Sequence, residues 1–513
     1  MTSPSLPINL SLQQLLPKET LPESLVDVSV SGLCLDSRKV KLGDVFVAVP
    51  GLAQDGRDYI APALEAGAVA VLAEANGLAG KVSDRVVLIQ DLNKQLSDIA
   101  GRFFAEPSGQ LVLVGITGTN GKTTCSQLLA QLFSFMVGPT GVMGTLGCGV
   151  VVGGKPVLRE TGMTTPDAIT TQAILADYVD GGVGRAVMEV SSHSLDQFRV
   201  QALTFHTAVF TNLSRDHLDY HGDLVEYAGA KMQLFAMPEL VNAVINIDDP
   251  VGAEIAMKLP PSVNLCGYSL LNSNASIYAE GVVLSASGLQ AYIHTPWGEG
   301  VLKSHLLGRF NLQNLLAVVG AACLQGLSLD AVLSVIPQLQ AVPGRMELIS
   351  SDAGSQSADF QCSWPQVVVD FAHAPAALES VLMTLREHCE GQLWCVFGCG
   401  GDRDRGKRPQ MGSIASRLAD RIVVTSDNPR SEDPEAIIAE ICGGVEEVCE
   451  AEIIVGRDEA IRFAIQAAAD NDIVLVAGKG HESYQLIGTQ KLPFSDQAQV
   501  RLALRQRGGR DDG

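Results

Sequence analysis

Residues 118 to 124 read Gly118-Thr119-Asn120-Gly121-Lys122-Thr123-Thr124 and lie between two apolar segments. The preceding segment, Leu111–Ile116, is typical of a buried strand, and the leucines from Leu128 to Leu132 indicate a following helix. Glycines let backbone N–H groups turn towards an anion, and a helix N-terminus adds positive potential. The sequence therefore predicts a phosphate-binding loop within an α/β fold.

Two side chains of this loop have expected roles. Lys122 would reach the terminal phosphates of a nucleotide, and the Thr123 hydroxyl would contact the accompanying Mg²⁺. Ile116 occupies the position of the first glycine in the strict Walker pattern. An ordinary glycine-rich turn is the alternative, but the order of strand, Gly-Lys-Thr-Thr and helix favours nucleotide binding.

The composition indicates a globular protein of several domains. The chain has 513 residues, 46% of them hydrophobic and 18% charged. A net charge of −21 argues against nucleic acid and anionic membranes as partners. We expect no membrane insertion and no signal peptide, because no apolar run is long enough and no basic N-terminal region precedes one. Eleven cysteines without a CxxC pair favour free thiols and a cytoplasmic location.

Apolar segments alternate with helical patterns and predict three domains. We expect an N-terminal domain of residues 1–98, a central domain of 99–340 with a mostly parallel sheet, and a C-terminal domain of 341–513. The last domain has four apolar segments that end at small or polar residues, as in a doubly wound sheet with its ligand site at the strands' carboxyl ends. These segments are Val367–Asp370, Val396–Gly398, Ile422–Thr425 and Ile473–Gly478. A disordered tail is expected from Arg505 to Gly513.

Several polar residues follow predicted strands or lie on a helix. Glu189 could hold Mg²⁺ opposite the phosphate loop or be a solvated cap. His217 and His221 have the spacing of a helical zinc pair but lack the glutamate of that motif, so an imidazole beside Mg²⁺ is an equal alternative. Lys231 on an amphipathic helix could be a surface lysine whose charge reaches the solvent.

The C-terminal domain offers three further candidates. Four basic residues follow the Leu393–Phe397 strand: Arg403, Arg405, Lys407 and Arg408. The segment Asp427–Arg430 could be a simple turn, or Arg430 could form a two-pronged pair with a ligand carboxylate. Gly478–Glu482 could be a second anion-binding turn or merely a strand exit.

Together these segments resemble the Mur ligases of bacterial cell-wall synthesis. The resemblance spans nearly the whole chain and rests on motifs in the family's order: Gly118–Thr124, Met188–His193, Thr211–Asp219, Tyr227–Lys231, Gly308–Asn314, Asp370–His373 and Gly478–Glu482. Asp427-Asn428-Pro429-Arg430 is similar to the motif of members that add meso-diaminopimelate to UDP-N-acetylmuramoyl-L-alanyl-D-glutamate.

The resemblance implies a fold and a reaction. The expected domains are an N-terminal UDP-substrate-binding domain, a central P-loop ATPase domain and a C-terminal Rossmann-like domain that binds the incoming amino acid. The expected activity is ATP-dependent amide ligation through an acyl phosphate, with Mg²⁺ as cofactor, in cytoplasmic peptidoglycan precursor synthesis. A monomer is expected.

The resemblance also assigns site residues. Contacts to the UDP-substrate are expected from Leu35, Ser37, Leu52, Ala53, Gln54, Thr164, Thr165, Ser191, Gln197 and Arg199. ATP contacts are expected from Gly118, Thr119, Asn120, Gly121, Lys122, Thr123, Thr124, Asn314 and Arg345. Diaminopimelate contacts are expected from Arg403, Asp427, Asn428, Pro429, Arg430, Gly478 and Glu482. Catalytic roles fall to Lys122, Glu189, His217 and Lys231, and the metal ligands would be Thr123, Glu189, His217 and Lys231.

Lys231 matches the family's N6-carboxylysine, a carbamate that needs a desolvated amine with a lowered pKa. Four positions depart from the family's pattern. Met163 replaces a common Asn, and Phe371, Ala374 and Ala376 replace common Tyr, Thr and Asp. Two other functions remain open: a ligase similar to folylpolyglutamate synthetase, and a nucleotide-dependent switch without bond-forming chemistry.

Overall fold

The apolar segments of the sequence form the buried strands of an α/β protein. The computed structural model describes residues 10–51, 54–77, 83–349, 364–446 and 451–508. The chain divides into one unit of residues 1–278 and 314–328 and a second unit of 279–313 and 329–513. In the described part of the chain, no helix is both long and apolar enough to cross a membrane.

The first unit begins with a small sheet of four parallel strands in the order β3-β4-β5-β6, besides a two-stranded pair of β1 and β2. The strands are β1 (Leu10–Ser11), β2 (Ser29–Val30), β3 (Gly32–Cys34), β4 (Asp44–Ala48), β5 (Ala70–Glu74) and β6 (Val86–Ile89). The helices are α1 (Leu12–Leu15), α2 (Glu23–Val26), α3 (Ile60–Glu65) and α4 (Leu92–Phe103).

A larger sheet carries the phosphate loop. Its strands are β7 (Val112–Thr117), β8 (Thr140–Gly144), β9 (Gly147–Val152), β10 (Lys155–Arg159), β11 (Arg185–Glu189), β12 (Thr207–Phe210), β13 (Asn242–Asn246), β14 (Asn264–Ser269) and β15 (Ile277–Ser285). Their order is β10-β9-β8-β11-β7-β12-β13-β14-β15. From β8 to β15 the pairings are parallel, whereas β9 and β10 are antiparallel at the edge.

Helices flank this sheet, and both its faces are buried, which explains why its strands are almost continuously apolar. They are α5 (Lys122–Met136), α6 (Ala168–Asp180), α7 (Ser192–Asp196), α8 (Leu218–His221), α9 (Leu224–Met232), α10 (Pro250–Lys258) and α11 (Arg309–Leu324), the last of which runs from the second unit into the first. Short 3₁₀ helices occupy Ser37–Lys39, Gly56–Tyr59, Pro107–Gln110, Gln233–Ala236 and, in the second unit, Ile336–Gln338.

The second unit contains the predicted doubly wound sheet, in the order β18-β19-β23-β20-β21-β22, parallel except for β18. The strands of the second unit are β16 (Gly288–Thr295), β17 (Gly298–Ser304), β18 (Glu347–Ile349), β19 (Gln366–Asp370), β20 (Leu393–Phe397), β21 (Arg421–Val424), β22 (Ala451–Ile453), β23 (Ile473–Ala477), β24 (Tyr484–Ile487) and β25 (Gln490–Pro493). Strands β16 and β17, and likewise β24 and β25, form antiparallel hairpins.

Helices of this unit are α12 (Leu329–Val335), α13 (Pro375–His388), α14 (Lys407–Leu418), α15 (Pro434–Cys442), α16 (Arg457–Ala467) and α17 (Asp496–Gly508). Apolar clusters cover both faces of the sheet. Since α17 continues to Gly508, the prediction of a disordered tail is wrong for residues 505–508, and residues 509–513 lie outside the described residues. The parallel sheets confirm the α/β fold class, while the domain boundaries at 98 and 340 stay predictions.

Candidate active site

The phosphate loop joins the end of β7 to the first turn of α5, as the sequence predicts. Gly118 and Gly121 have φ angles of 149° and 86°, which side-chain-bearing residues rarely adopt. A Cβ on Gly118 would lie 1.9 Å from Thr211 Oγ1, and one on Gly121 would lie 2.7 Å from Asn314 Oδ1. Both glycines are therefore required by conformation and by space.

The Lys122 amine lies against the loop itself. Its Nζ donates hydrogen bonds to the carbonyls of Gly118 (2.9 Å) and Thr119 (2.8 Å). Burial lowers the pKa of Lys122, although the charge of Glu189 opposes that shift. The amine thus lies among the backbone groups that a phosphate would approach.

Neighbouring strands fix the other loop residues. Thr119 and Asn120 donate their backbone N–H groups to the main-chain and side-chain oxygens of Asn212, which follows β12. The Thr119 hydroxyl contacts the Tyr227 hydroxyl at 3.1 Å. These bonds hold the loop between β12 and α9.

Glu189 ends β11, the strand that pairs in parallel with β7. Its side chain is fully buried, so the solvated-cap alternative is wrong. It accepts hydrogen bonds from Thr123 Oγ1 (2.9 Å), Thr145 N (2.8 Å) and Thr145 Oγ1 (3.1 Å). Burial raises the pKa of Glu189, and these donors lower it. The structure therefore joins Glu189 to Thr123, and sequence reasoning missed Thr145 because a turn threonine carries no motif.

Lys231 on α9 is only 1% exposed, so the surface-lysine alternative is wrong. Its Nζ donates to the Gly118 carbonyl at 2.8 Å and lies 4.5 Å from the centre of the Tyr227 ring. Burial, reinforced by the positive charge of Lys122, lowers the pKa of Lys231 to about 6. An amine that is largely uncharged at neutral pH is the form that can capture CO₂.

His217 lies at the start of α8 in the left-handed conformation, with φ 53°. Its ring centre is 5.0 Å from that of His193 and 6.1 Å from that of Tyr227. His221 Nε2 lies 2.9 Å from Ser192 Oγ, so this nitrogen is already engaged. No three His, Cys, Asp or Glu side chains of the described residues converge as a metal site. Hence zinc ligation by the His217–His221 pair finds no support.

Four of the residues expected to hold the UDP-substrate form one hydrogen-bonded group. Thr165 Oγ1 donates to the Glu189 carbonyl (2.9 Å) and accepts from Ser191 N (3.1 Å). Arg199 donates to the Thr165 carbonyl (2.9 Å) and to Gln197 Oε1 (3.0 Å). This group surrounds the end of β11.

Two neighbours extend this group. Thr164 Oγ1 is 3.1 Å from Thr145 Oγ1, which also contacts the Glu189 carboxylate. Arg199 Nη1 lies 3.7 Å from the sulfur of Met163, the residue that departs from the family's pattern. A thioether is a weak hydrogen-bond acceptor, whereas the Asn that is common at this position would offer an amide oxygen and an amide N–H.

The remaining UDP-substrate candidates lie in the small sheet's loops. Leu35 and Ser37 flank Asp36, whose pKa is lowered to about 2 by the side chain of Arg38. Gln54 accepts a 3.4 Å bond from the Tyr59 hydroxyl. Leu52 and Ala53 lie outside the described residues.

A second group of candidates lies where β21 and β23 end. Asn428 Nδ2 donates to Glu482 Oε2 at 3.0 Å, and Lys479 Nζ donates to the same oxygen at 3.0 Å. A Cβ on Gly478 would come within 2.6 Å of Asp427 Oδ2. Burial raises the pKa of Asp427, which the charges of Arg457 and Lys479 oppose. The structure thus brings Asp427, Asn428, Gly478 and Glu482 together.

Arg430 has φ 52°, and its Nη1 donates to the Gly401 carbonyl at 2.7 Å. Pro429 precedes it, and Arg403 is exposed on the neighbouring loop after β20. Arg408, in contrast, is fully buried, bonded to Glu432 and Glu440. Within the basic cluster predicted from sequence, Arg405 also pairs with Glu440, and Lys407 donates to the His373 carbonyl at 2.7 Å. Arg408 stabilises the fold, and Arg403 stays the exposed candidate for a ligand.

The two residues expected to contact ATP outside the loop lie in different units. Asn314 on α11 is buried beside Gly121. Arg345 lies over the ring of Phe371, 5.0 Å from its centre. Asp370 accepts backbone bonds from Met346 (2.7 Å) and Ala372 (2.8 Å), which shape the turn after β19. The ATP roles of Asn314 and Arg345 stay predictions.

Comparison with known proteins places this geometry in a family. Three family models match the chain: the Mur ligase family catalytic domain at residues 29–104, the Mur ligase middle domain at 116–322, and the Mur ligase glutamate ligase domain at 344–480.

Curated relatives match over almost their full length. The UDP-N-acetylmuramoyl-L-alanyl-D-glutamate–2,6-diaminopimelate ligase of Ectopseudomonas mendocina is 50% identical over 95% of this chain and 97% of that protein. The ligase of the same name from Pseudomonas aeruginosa is 49% identical over 96% and 98%. A solved structure of that name superposes with a TM-score of 0.79 at 37% identity, covering 98% of this chain and all of that one.

The chain belongs to the Mur ligase family. As a member, it is an enzyme of the ATP-dependent amide ligase class that acts in peptidoglycan synthesis.

Proposed function

We propose that the protein adds meso-diaminopimelate to UDP-N-acetylmuramoyl-L-alanyl-D-glutamate at the expense of ATP. One observation carries the choice of acceptor: the Asp427–Arg430 segment follows β21 and lies beside Glu482, which Asn428 contacts directly. The distal centre of meso-diaminopimelate bears an ammonium and a carboxylate. Glu482 suits the ammonium, and Arg430 suits the carboxylate with a two-pronged geometry that lysine lacks. The relatives named for this reaction support the assignment.

The other substrates are assigned to the first unit. ATP would lie with its phosphates at residues 118–124, where Lys122 neutralises the terminal phosphates. The muramoyl dipeptide would lie near Thr165, Ser191 and Arg199, next to the loop through Glu189. The uridine end is assigned to the small sheet, through Leu35, Ser37 and Gln54.

The reaction proceeds in two steps. A carboxylate is a poor electrophile, so the glutamyl carboxylate first attacks the γ-phosphate of ATP, giving an acyl phosphate and ADP. The amine of diaminopimelate then attacks the acyl carbon, and phosphate leaves with the oxygen that joined them. Positive charge from Lys122 and the helix N-terminus favours the first step.

The donor set also fits a magnesium ion. Thr123 supplies a hydroxyl and Glu189 a carboxylate, and a Lys231 carbamate would add a second anionic group beside the Gly118 carbonyl of the loop. His217 is the fourth proposed ligand. Mg²⁺ held there would supply further neutralisation of the phosphates. Carbamylation of Lys231 is supported by its buried, weakly basic amine.

We also propose a role for each domain, an oligomeric state and a cellular location. Residues 1–98, 99–340 and 341–513 would bind the UDP-substrate, ATP and the incoming amino acid. The family matches at 116–322 and 344–480 fall within the second and third of these ranges, whereas the match at 29–104 runs past residue 98. The chain would act as a monomer, because one copy carries residues assigned to all three substrates. It would act in the cytoplasm, which the free thiols of the described cysteines favour.

Phosphate release by the purified protein tests the proposal. With ATP and the muramoyl dipeptide nucleotide, release should require meso-diaminopimelate and be much slower with L-lysine. Release that needs a folate and glutamate instead would favour the alternative, whose Mycobacterium tuberculosis representative shares the fold at 20% identity and TM-score 0.55. Turnover without any acceptor would indicate a nucleotide-dependent switch.

A further inference from the structure

Lys479 is a fully buried lysine that none of the assignments above uses. It lies in the turn after β23, between Gly478 and Gly480, whose φ angles are 121° and 52°. A Cβ on Gly480 would lie 2.7 Å from Phe371 Cβ and 2.9 Å from the Gly344 carbonyl. These two glycines let the backbone turn tightly around the buried lysine. Burying a cation is costly unless its partners compensate, so its partners indicate its role.

The Lys479 ammonium contacts two residues of the diaminopimelate site. Nζ donates to Asn428 Oδ1 at 3.1 Å and to Glu482 Oε2 at 3.0 Å. It also lies 5.8 Å from the centre of the Tyr484 ring. The lysine therefore holds the amide and the carboxylate at once.

These contacts determine which way the Asn428 amide points. Oδ1 accepts from both Lys479 Nζ and Leu486 N (2.9 Å), while Nδ2 donates to Glu482 Oε2. A flipped amide would direct its N–H groups at an ammonium and at a backbone N–H, and it would lose both bonds. Only one orientation is compatible with the charge of Lys479.

The same contacts leave one carboxylate oxygen of Glu482 available to a ligand. Among the described residues, the side-chain hydrogen bonds of Glu482 both end on Oε2, so Oε1 is left for a ligand. A carboxylate tethered through one oxygen presents the other at a fixed position, which favours recognition of an ammonium.

We propose that Lys479 is a positioning residue that sets acceptor affinity by orienting Asn428 and Glu482. This inference rests on the proposed function. It predicts an effect confined to the incoming amino acid, since both side chains that Lys479 Nζ bonds, Asn428 and Glu482, are assigned to that substrate.

The test compares Lys479→Met with Lys491→Met in the full-length protein. Lys491 is a matched control, because its Nζ lies over the same Tyr484 ring at 3.8 Å but has no bond to Asn428 or Glu482. Steady-state rates are measured while each substrate is varied in turn, and thermal unfolding reports the fold. Lys479→Arg, which keeps the charge, serves as the variant if Lys479→Met does not fold.

Lys479→Met should raise KM for meso-diaminopimelate roughly 10- to 100-fold, as expected for lost hydrogen bonds to a charged group. KM for ATP and for the muramoyl nucleotide should change less than about threefold, and Lys491→Met should match the wild type. Lys479→Arg should give an intermediate KM for the amino acid.

An unchanged KM for diaminopimelate, or equal changes for all three substrates, would overturn the inference and leave Lys479 with a structural role only. A wild-type protein that forms no product with diaminopimelate would instead refute the proposed function, and this inference with it.

Discussion

Lys122 supplies the first prediction, because its amine lies among the carbonyls of the loop. Lys122→Ala should reduce kcat by about a thousand-fold or more, since the phosphates then lack their nearest positive charge. Thermal unfolding should change little, and Lys155→Ala on the exposed edge strand β10 should behave as the wild type. Retained activity in Lys122→Ala would refute the phosphate-binding role.

Lys231 supplies a chemical prediction. Lys231→Ala should be inactive, because it lacks the amine that would carry the carbamate. Short carboxylic acids should restore part of the activity by filling the vacated space with an anion. Full activity of the variant without any added acid would rule out the carbamate.

The same residue predicts a pH dependence of stability. Its pKa falls from 10.5 to about 6 on folding, so between these values the unfolded chain binds a proton that the folded protein does not. The free energy of unfolding therefore rises with pH between these values. The stability that the folded protein gains from an uncharged Lys231 is fully present above pH 10.5 and is lost as the pH falls to about 6. The measurement is urea unfolding in CO₂-free buffer at pH 6.5 and pH 9. The free energy of unfolding of the wild type, relative to that of Lys231→Met, should be larger at pH 9 than at pH 6.5. A constant difference between the two proteins would contradict the shifted pKa.

Arg430 predicts acceptor selectivity. Arg430→Lys should weaken discrimination of meso-diaminopimelate from L-lysine by about 1.5–3 kcal/mol, because an ammonium cannot form a two-pronged pair with the distal carboxylate. The measurement is the ratio of kcat/KM values for the two amino acids. Arg421→Lys, an exposed arginine beside Trp394, is the control. An unchanged ratio in Arg430→Lys would remove Arg430 from the acceptor site.

Individual residues also show the limits of sequence reasoning. The burial of Lys231 could not be inferred from helical periodicity, because the residues that cover it come from the distant loop at Gly118. Its role came only from resemblance. Thr145 carried no pattern, and Lys479 was included only as part of the Gly478–Glu482 turn, since the importance of each lies in contacts with Glu189 and with Glu482.

Among the elements, helix α14 carries an ion pair that we expect to be sensitive to acid. Its buried Arg408 binds Glu432 and lowers the pKa of that carboxyl to about 2. The stabilising effect of Glu432 is present above its ordinary pKa of 4.5 and is lost as the pH falls towards 2. Arg408→Met should therefore lower Tm by several degrees at pH 7.

The Tm difference between wild type and Arg408→Met should shrink as the pH falls from 4.5 to 2. Arg417→Met is the matched control, because Arg417 lies on the same helix in an exposed pair with Glu379. Equal Tm shifts in both variants, or a difference independent of pH, would contradict the role of the buried pair.

Strands were the part of the fold that the sequence predicted best. Segments such as Ala186–Met188 and Ile473–Ala477 are continuously apolar because parallel strands are covered on both faces, and the structure places strands there. The candidate residues at their carboxyl ends followed from the same rule. Strand order and the pairing of side chains across loops depend on tertiary packing, which local periodicity does not encode.

For the molecule as a whole, the central chemical step is the formation of an acyl phosphate. ATP is consumed to convert the glutamyl carboxylate into an acyl phosphate that an amine can attack. The phosphate loop, Glu189 and the acceptor residues near Asn428 are the parts of the chain to which this chemistry is assigned.

Oxygen transfer tests this claim most directly. The muramoyl dipeptide nucleotide is prepared with ¹⁸O in both oxygens of the reacting glutamyl carboxylate and is incubated with ATP, meso-diaminopimelate and the protein. Mass spectrometry of the released phosphate should show one ¹⁸O atom per molecule, because the leaving phosphate carries the oxygen that attacked ATP. Peptide product accompanied by unlabelled phosphate would contradict the acyl phosphate.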